Sequence, residues 1–197
     1  MLRALRYTQQ TPNLLKYFST IARDDPIHRV NLRVGKVVNV EKHPGGEHLF
    51  IEQVDLAEES PRTIVSGLAP YMAMDSLMNK KVVVVSNMKP SRFRGVLSQG
   101  MLLAATSNDN RVALLEPAAD SQVGERIKVD TNDEQQQQPE DEMDSPPILK
   151  PKQRVFESVA EFLKTDENGT ATYKGRPLKT NAGGYVSCPT IPNGQIS

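Results

Sequence analysis

Apolar and polar positions alternate in short runs along residues 28–129, and the runs end at glycine and proline. Leu32–Glu41 and Leu49–Leu56 alternate with a period of two, the pattern of strands that bury one face. Gly35 interrupts the first run and predicts a bulge or a sharp bend at that point. Further strands are predicted by the shorter runs Arg62–Ser66, Lys81–Ser86, Met101–Thr106 and Arg111–Leu115.

Five or so short strands separated by glycine and proline turns predict a mainly β domain over residues 28–129. A small Greek-key barrel such as the OB-fold fits this spacing, although periodicity alone equally allows another small barrel or a sandwich. Pro70–Met78 is compatible with one or two helical turns across an end of such a barrel.

A second apolar pattern lies in residues 148–197, which we treat as a C-terminal extension. Its apolar side chains recur at the spacing of one helix face, and such a face needs a surface to cover. These residues are Val155, Phe156, Val159, Phe162 and Leu163.

Residues 130–147 separate the two patterns and differ from both in composition. They contain seven acids, no base, four consecutive glutamines and three prolines. A segment this polar cannot bury enough apolar surface to fold, so it is predicted to be a flexible acidic linker.

Residues 1–23 contain four bases and no acid, with leucines scattered between hydroxyl and amide side chains. This composition is typical of a mitochondrial import presequence, and the acid-free region ends at Asp24. The alternative is a basic arm that touches nucleic acid in a cytoplasmic protein.

The composition of the 197-residue chain limits which kinds of binding site it can form. The formal net charge is zero, but it is the sum of unlike segments, so it does not exclude nucleic acid. The single cysteine, Cys188, excludes a disulfide within the chain, and three scattered histidines argue against a zinc site. The sequence therefore predicts no metal and no cofactor.

Positive charge concentrates between two strongly apolar runs. No acid occurs from Ser76 to Asn108, and residues 87–99, here called the basic loop, contain Lys89, Arg92 and Arg94. Cationic side chains on a rigid apolar support are what a phosphate backbone requires. The alternative interpretation is a solvated basic hairpin.

The amino-acid sequence of the basic loop resembles the signature of the tRNA-binding domain attached to aminoacyl-tRNA synthetases. That family follows N-x-K-P-x-[KR]-x-[KR]-G-x-x-S-x-G-M, and Val65–Leu68 is similar to its V-S-G-L. The resemblance covers Val30–Val129 and implies an OB-fold that binds tRNA. The matching positions in the loop are Asn87, Lys89, Pro90, Arg92, Arg94, Gly95, Ser98, Gly100 and Met101.

The resemblance also implies the roles of individual side chains. Lys89, Arg92 and Arg94 would contact phosphates. The Asn87 amide would read the RNA or brace the loop, and the Ser98 and Gln99 side chains would reach a phosphate or a ribose hydroxyl. The full predicted tRNA site is Asn87, Lys89, Arg92, Arg94, Ser98, Gln99 and Met101.

The extension is similar to a narrower subfamily, that of endothelial monocyte-activating polypeptide II and the C-terminal domain of animal tyrosyl-tRNA synthetase. The similarity lies in Val155–Glu157, Leu163–Thr165, Ala171–Gly175 and Gly183–Cys188. It implies that the extension packs on the barrel where bacterial relatives place a second subunit, which makes the chain a pseudo-dimeric monomer. An aminoacyl-tRNA synthetase is the implied protein partner.

Two classes of function remain at this point. The synthetase ATP motifs His-Ile-Gly-His and Lys-Met-Ser-Lys-Ser are absent from the sequence, as is a glycine-rich phosphate loop. The first class is therefore a non-catalytic tRNA-binding accessory protein of protein biosynthesis. The alternative is a protein-interaction or cytokine-like signalling module.

Overall fold

The computed structural model describes residues 21–131 and 145–197. The predicted presequence up to residue 20 and the central part of the predicted linker, 132–144, lie outside the described residues. Within the described ranges no helix is long and apolar enough to span a membrane.

The described chain is mainly β, as predicted. Its two α-helices are short: α1 is Met74–Leu77 and α2 is Val155–Ala160, and 3₁₀ turns span Pro26–Arg29 and Pro151–Gln153. The strands are β1 Leu32–Lys42, β2 Phe50–Asp55, β3 Arg62–Ser66, β4 Lys81–Val85, β5 Ser91–Phe93, β6 Val96–Ser98, β7 Met101–Leu102, β8 Ala104–Thr106, β9 Val112–Leu114, β10 Arg126–Val129, β11 Leu163–Thr165, β12 Ala171–Tyr173, β13 Arg176–Thr180 and β14 Gln195–Ile196.

Strand β1 is the longest and organises the first half of the chain. It pairs with β2, β4 and β10, always antiparallel. The bend predicted at Gly35 lies instead between Val37 and Asn39, where the register with β2 shifts. Gly35 is required for another reason, because a Cβ there would come within 2.7 Å of Val54 and 2.9 Å of Val84.

Strands β3, β2, β1, β4 and β7 follow one another around an aliphatic interior that includes Val54, Ile64 and Val82. Among the described residues the strand pairing does not close into a ring. Segment 98–99 joins β3 instead, because Gln99 N donates to Thr63 O at 2.8 Å. The predicted OB-like barrel is thus confirmed in outline. Its last join is the contact between segment 98–99 and β3, which replaces a continuous strand ladder and is here called the barrel seam.

The C-terminal extension packs on this barrel, as predicted, and also continues its sheet. Strand β13 pairs with β10 and β14 pairs with β8, both antiparallel. The larger apolar core contains side chains from both halves of the chain, among them Val83, Leu103, Val159, Leu178 and Ile196. The barrel and the extension therefore share one core.

Four of the five predicted apolar residues of the extension are buried, and the prediction was wrong for Phe162. Its side chain is 47% exposed because α2 ends at Ala160, so Phe162 no longer follows the helix face. The Phe162 ring instead stands edge-on to Tyr173 with centroids 6.2 Å apart, and the Lys174 ammonium lies 5.1 Å from its centroid.

The folded part is wider than the predicted boundaries. Ile21 is buried in the shared core, and Asp25 accepts hydrogen bonds from Tyr173 at 2.7 Å and Lys174 at 2.6 Å. Burial would raise the pKa of Asp25, but the bonds from Lys174 and Tyr173 outweigh it and lower that pKa. At the predicted start of the linker, Asp130 is buried and accepts from Lys179 at 2.8 Å.

Candidate nucleic-acid interface

The tip of the basic loop is a hairpin of β5 and β6 with a two-residue turn. Arg94 and Gly95 occupy the turn with φ of +45° and +97°. Positive φ at both positions is the hallmark of a type I′ turn, whose twist matches that of paired strands. Glycine adopts this φ at no steric cost, and Ser91–Gly95 is exposed throughout.

His43 holds the tip of this hairpin in place. The buried His43 ring accepts a hydrogen bond from Gly45 N on Nδ1 at 3.0 Å, so its Nε2 carries the proton and donates to Phe93 O at 3.0 Å. Arg94 makes a second link, since its guanidinium donates to the Gly45 carbonyl. The His43–Gly46 turn therefore holds the basic loop against the barrel.

Arg62 supports the base of the loop, and sequence reasoning missed it. One guanidinium nitrogen donates to the carbonyls of both Ser86 and Gln99, the residues at the two ends of the loop. Glu58 pairs with the same guanidinium at 2.7 Å and with Arg33 at 2.8 Å. The hydrogen bond from Arg62 is the main reason that the pKa of Glu58 lies below its ordinary value, against the opposing effect of burial.

Lys89 and Arg92 are cations of the loop that make few bonds within the described residues. Both side chains are exposed. Arg92 donates to the Gly95 carbonyl at 3.0 Å, which leaves the rest of its guanidinium free for another acceptor, and Lys89 has no side-chain partner within residues 21–131 and 145–197. Phe93 stands between Arg92 and Arg94 in the sequence and is 43% exposed.

Asn87 does not face solvent, so the expectation that it reads RNA is not supported. The side chain is only 3% exposed. Its Oδ1 accepts from Asn31 N at 3.0 Å, and its Nδ2 donates to Arg29 O at 2.9 Å and to Pro146 O at 3.0 Å. With these partners the amide braces three chain segments, which was the other predicted role.

Ser98 and Gln99 lie in the barrel seam. Ser98 is buried, and its Oγ accepts from Val65 N at 3.0 Å and donates to Gly100 O at 3.1 Å. Gln99 Oε1 accepts from Thr63 N at 3.2 Å. Both side chains act as substitutes for a backbone ladder. Ser98 is buried with its hydroxyl engaged, so a ribose contact from it is not supported, whereas Gln99 is partly exposed and its predicted contact stays a prediction.

Met101 begins β7 and packs, partly buried, against the shared core. The seven predicted positions thus separate into two groups. Lys89, Arg92 and Arg94 are displayed at the surface, and the remaining four hold the fold that displays them.

One carboxyl group is buried inside the barrel. Glu52 on β2 is fully buried in the barrel; its Oε1 accepts from the Ser66 hydroxyl, and its Oε2 has no hydrogen-bond partner in the described part of the chain. Burial raises the pKa of Glu52 to about 7, against the opposing effect of the Ser66 bond.

Residues 32–126 match the profile of the putative tRNA binding domain. The chain is 40% identical over 171 residues to cytoplasmic tyrosine–tRNA ligase of Gallus gallus, covering 86% of this chain and 31% of that protein. It is 36% identical over 170 residues to the aminoacyl tRNA synthase complex-interacting multifunctional protein 1 of Cricetulus griseus, covering 86% of this chain and 45% of that protein.

The fold is similar to a solved structure as well. The crystal structure of the C-terminal domain of Plasmodium vivax p43 matches with a TM-score of 0.73 at 30% identity, covering 87% of this chain and 98% of that domain. The similarity therefore includes the extension. This chain spans less than half the length of the two full-length relatives.

Proposed function

Because the chain belongs to the tRNA-binding domain family, we propose that it is a non-catalytic protein that binds tRNA and assists an aminoacyl-tRNA synthetase. One observation carries the proposal. Lys89, Arg92 and Arg94 are exposed on a loop whose base is held by Arg62 and whose tip is held by His43.

The binding mechanism follows from the three side chains. The Lys89 ammonium acts as a point charge, whereas an arginine fork can donate two parallel bonds to one phosphate. Since the loop is fixed in advance, little backbone entropy is lost on binding. Phe93 offers a face on which an unpaired base could stack.

Contacts of this kind read the backbone and shape of an RNA more than its sequence. We therefore expect unrelated tRNAs to bind with affinities within a few-fold of one another. Supply of tRNA to a synthetase suits such tolerance, because the synthetase itself selects the amino acid and the tRNA.

The proposal includes a monomeric state. The extension adds β13 beside β10 and β14 beside β8, so it covers edges and an apolar face that a second copy would otherwise meet. Sedimentation of the full chain as a monomer would support this part, and a concentration-dependent dimer would contradict it.

Mitochondrial localisation is proposed from the composition of residues 1–23. The fold adds one constraint, since Ile21 is buried in the core. Removal of a presequence would therefore have to occur before Ile21. A fusion of residues 1–20 to a fluorescent protein tests the proposal: mitochondrial fluorescence supports it, and diffuse fluorescence favours a cytoplasmic protein.

The experiment that tests the tRNA proposal compares the wild-type chain with Lys89→Ala/Arg92→Ala. Loss of charge-assisted bonds at about 1–3 kcal/mol should weaken tRNA binding tenfold or more. Lys164→Ala is the control, because Lys164 is exposed on β11, a strand of the extension that pairs with β12 and β14. Equal affinity of all three proteins would overturn the proposal.

A further inference from the structure

We infer that a second basic element, residues 147–154, extends the tRNA-binding surface beyond the basic loop. We call this element the basic strap. It contains Lys150, Lys152 and Arg154 and no acid. The inference rests on the proposed function and adds a contact surface from the extension, outside the 32–126 region that matches the family profile.

The strap begins directly beside the basic loop. Leu149 N donates to the Asn87 carbonyl at 2.8 Å, and the Asn87 amide donates to Pro146 O at 3.0 Å. The Leu149 side chain is buried in the shared core. Asn87, the first residue of the loop, is thus bonded both to Pro146, directly before the strap, and to Leu149 within it, and the Leu149 side chain anchors the strap in the core.

The far end of the strap is fixed as well. Gln153 Oε1 accepts from the Arg29 guanidinium at 2.5 Å, and the Arg29 carbonyl accepts from Asn87. Pro151 opens the 3₁₀ turn Pro151–Gln153, and its ring fixes the backbone φ at that position. The strap therefore offers its side chains from a rigid backbone, as the loop does.

The three cations of the strap are exposed and make no side-chain bond within the described residues. Lys150, Lys152 and Arg154 all have exposed side chains, and none of the three forms a side-chain hydrogen bond or ion pair within the described residues. Other cations of the extension differ, since Lys174 and Lys179 pair with the buried carboxylates of Asp25 and Asp130.

The distance between the two elements suits a single polyanion. Lys89 lies two residues beyond Asn87, and Lys150 lies one residue beyond Leu149, which is bonded to Asn87. With ~3.8 Å between consecutive Cα atoms and about 5.5 Å between the Cα atoms of a hydrogen-bonded pair, the Cα atoms of the two lysines lie within roughly 17 Å of each other. A tRNA seated on the loop would therefore meet the strap through neighbouring phosphates of its backbone.

The test is a triple substitution, Lys150→Ala/Lys152→Ala/Arg154→Ala, in the full chain. Leu149, Gln153 and the prolines stay unchanged, so the strap keeps its anchors, and circular dichroism should match the wild type. We expect tRNA binding to weaken about tenfold or more, and the slope of log affinity against log salt to flatten by ~0.7–0.9 for each phosphate that the variant no longer binds. The charge-conserving triple Lys150→Arg/Lys152→Arg/Arg154→Lys should bind like the wild type.

The outcomes separate the strap from the loop. An unchanged affinity and slope in the alanine triple, with weakened binding in Lys89→Ala/Arg92→Ala, would overturn the strap and leave the loop in place. Weakened binding in the alanine triple alone would support the strap and contradict the loop as the main site. A wild-type chain that does not bind tRNA would overturn both.

Discussion

The side-chain amide of Asn87 donates a hydrogen bond to the carbonyl oxygen of Pro146 at 3.0 Å, across 59 residues of sequence. The backbone carbonyl of Asn87 in turn accepts from Leu149 N. One residue at the start of the basic loop thus ties the barrel to the extension. The order of the loop and the docking of the extension are therefore expected to depend on each other.

Asn87→Ala should destabilise the fold strongly. The substitution leaves the partly buried Asn31 N–H and carbonyls of Arg29 and Pro146 without their partner, and an unsatisfied group costs about 1–3 kcal/mol when it is fully buried. We expect a loss on the order of 3 kcal/mol in the free energy of unfolding, measured by urea denaturation. Asn108→Ala, at an exposed position, should change it by less than about 0.5 kcal/mol. Equal stability of the two variants would contradict the bracing role.

Arg62→Ala should loosen both ends of the basic loop. The substitution removes the donor shared by the Ser86 and Gln99 carbonyls and leaves Glu58 paired with Arg33 alone within the described ranges. We expect a loss of about 1–3 kcal/mol in the free energy of unfolding and faster amide hydrogen exchange within residues 86–100.

The matched control for Arg62 is Arg111→Ala. Arg111 pairs with Asp109, and both side chains are more than half exposed, so this ion pair should contribute little to the free energy of unfolding. If hydrogen exchange in residues 86–100 responds equally to both substitutions, Arg62 does not support the loop.

Glu52 should make stability fall as pH rises. Its pKa is about 7 in the folded chain against an ordinary value of 4.5, so the folded state holds the proton more tightly than the unfolded state. The free energy of unfolding is therefore highest below pH 4.5 as far as Glu52 is concerned. It decreases through pH 7, by roughly 3 kcal/mol in total at ~1.4 kcal/mol per pKa unit.

The check on Glu52 compares wild type and Glu52→Gln by thermal or urea unfolding at pH 5 and pH 8. The glutamine variant should gain stability relative to wild type at pH 8, because it carries no charge to bury. Glu41→Gln, at an exposed position of β1, should show no such gain. A parallel pH dependence of wild type and Glu52→Gln would show that folding does not raise the pKa of Glu52.

Much of the fold could be predicted because its causes are local. Alternation along Leu32–Glu41 reflects one buried strand face, and the turn at Gly95 reflects a backbone that needs positive φ. The apolar set of the extension was correct except for Phe162, because spacing does not reveal that α2 ends after six residues.

The sequence does not predict which side chains of the basic loop face solvent and which support the fold, because this depends on contacts between residues far apart in the chain. His43 meets Phe93 across 50 residues, and Ser98 meets Val65 across 33. A motif shows that certain side chains occur together, but it does not say which of them face inward. Only the partners of Asn87 and Ser98 in the folded chain show that both are structural.

The most direct test of the tRNA-binding function is the salt dependence of tRNA affinity in wild type and Lys89→Ala/Arg92→Ala. Arg94 stays unchanged because its backbone forms the turn and its guanidinium bonds Gly45. The wild-type plot of log affinity against log salt should have a steep negative slope. The variant's slope should be shallower by about 1.5, since each phosphate that is no longer bound removes ~0.7–0.9. A flat wild-type plot, or identical slopes in two well-folded proteins, would contradict phosphate binding by the basic loop.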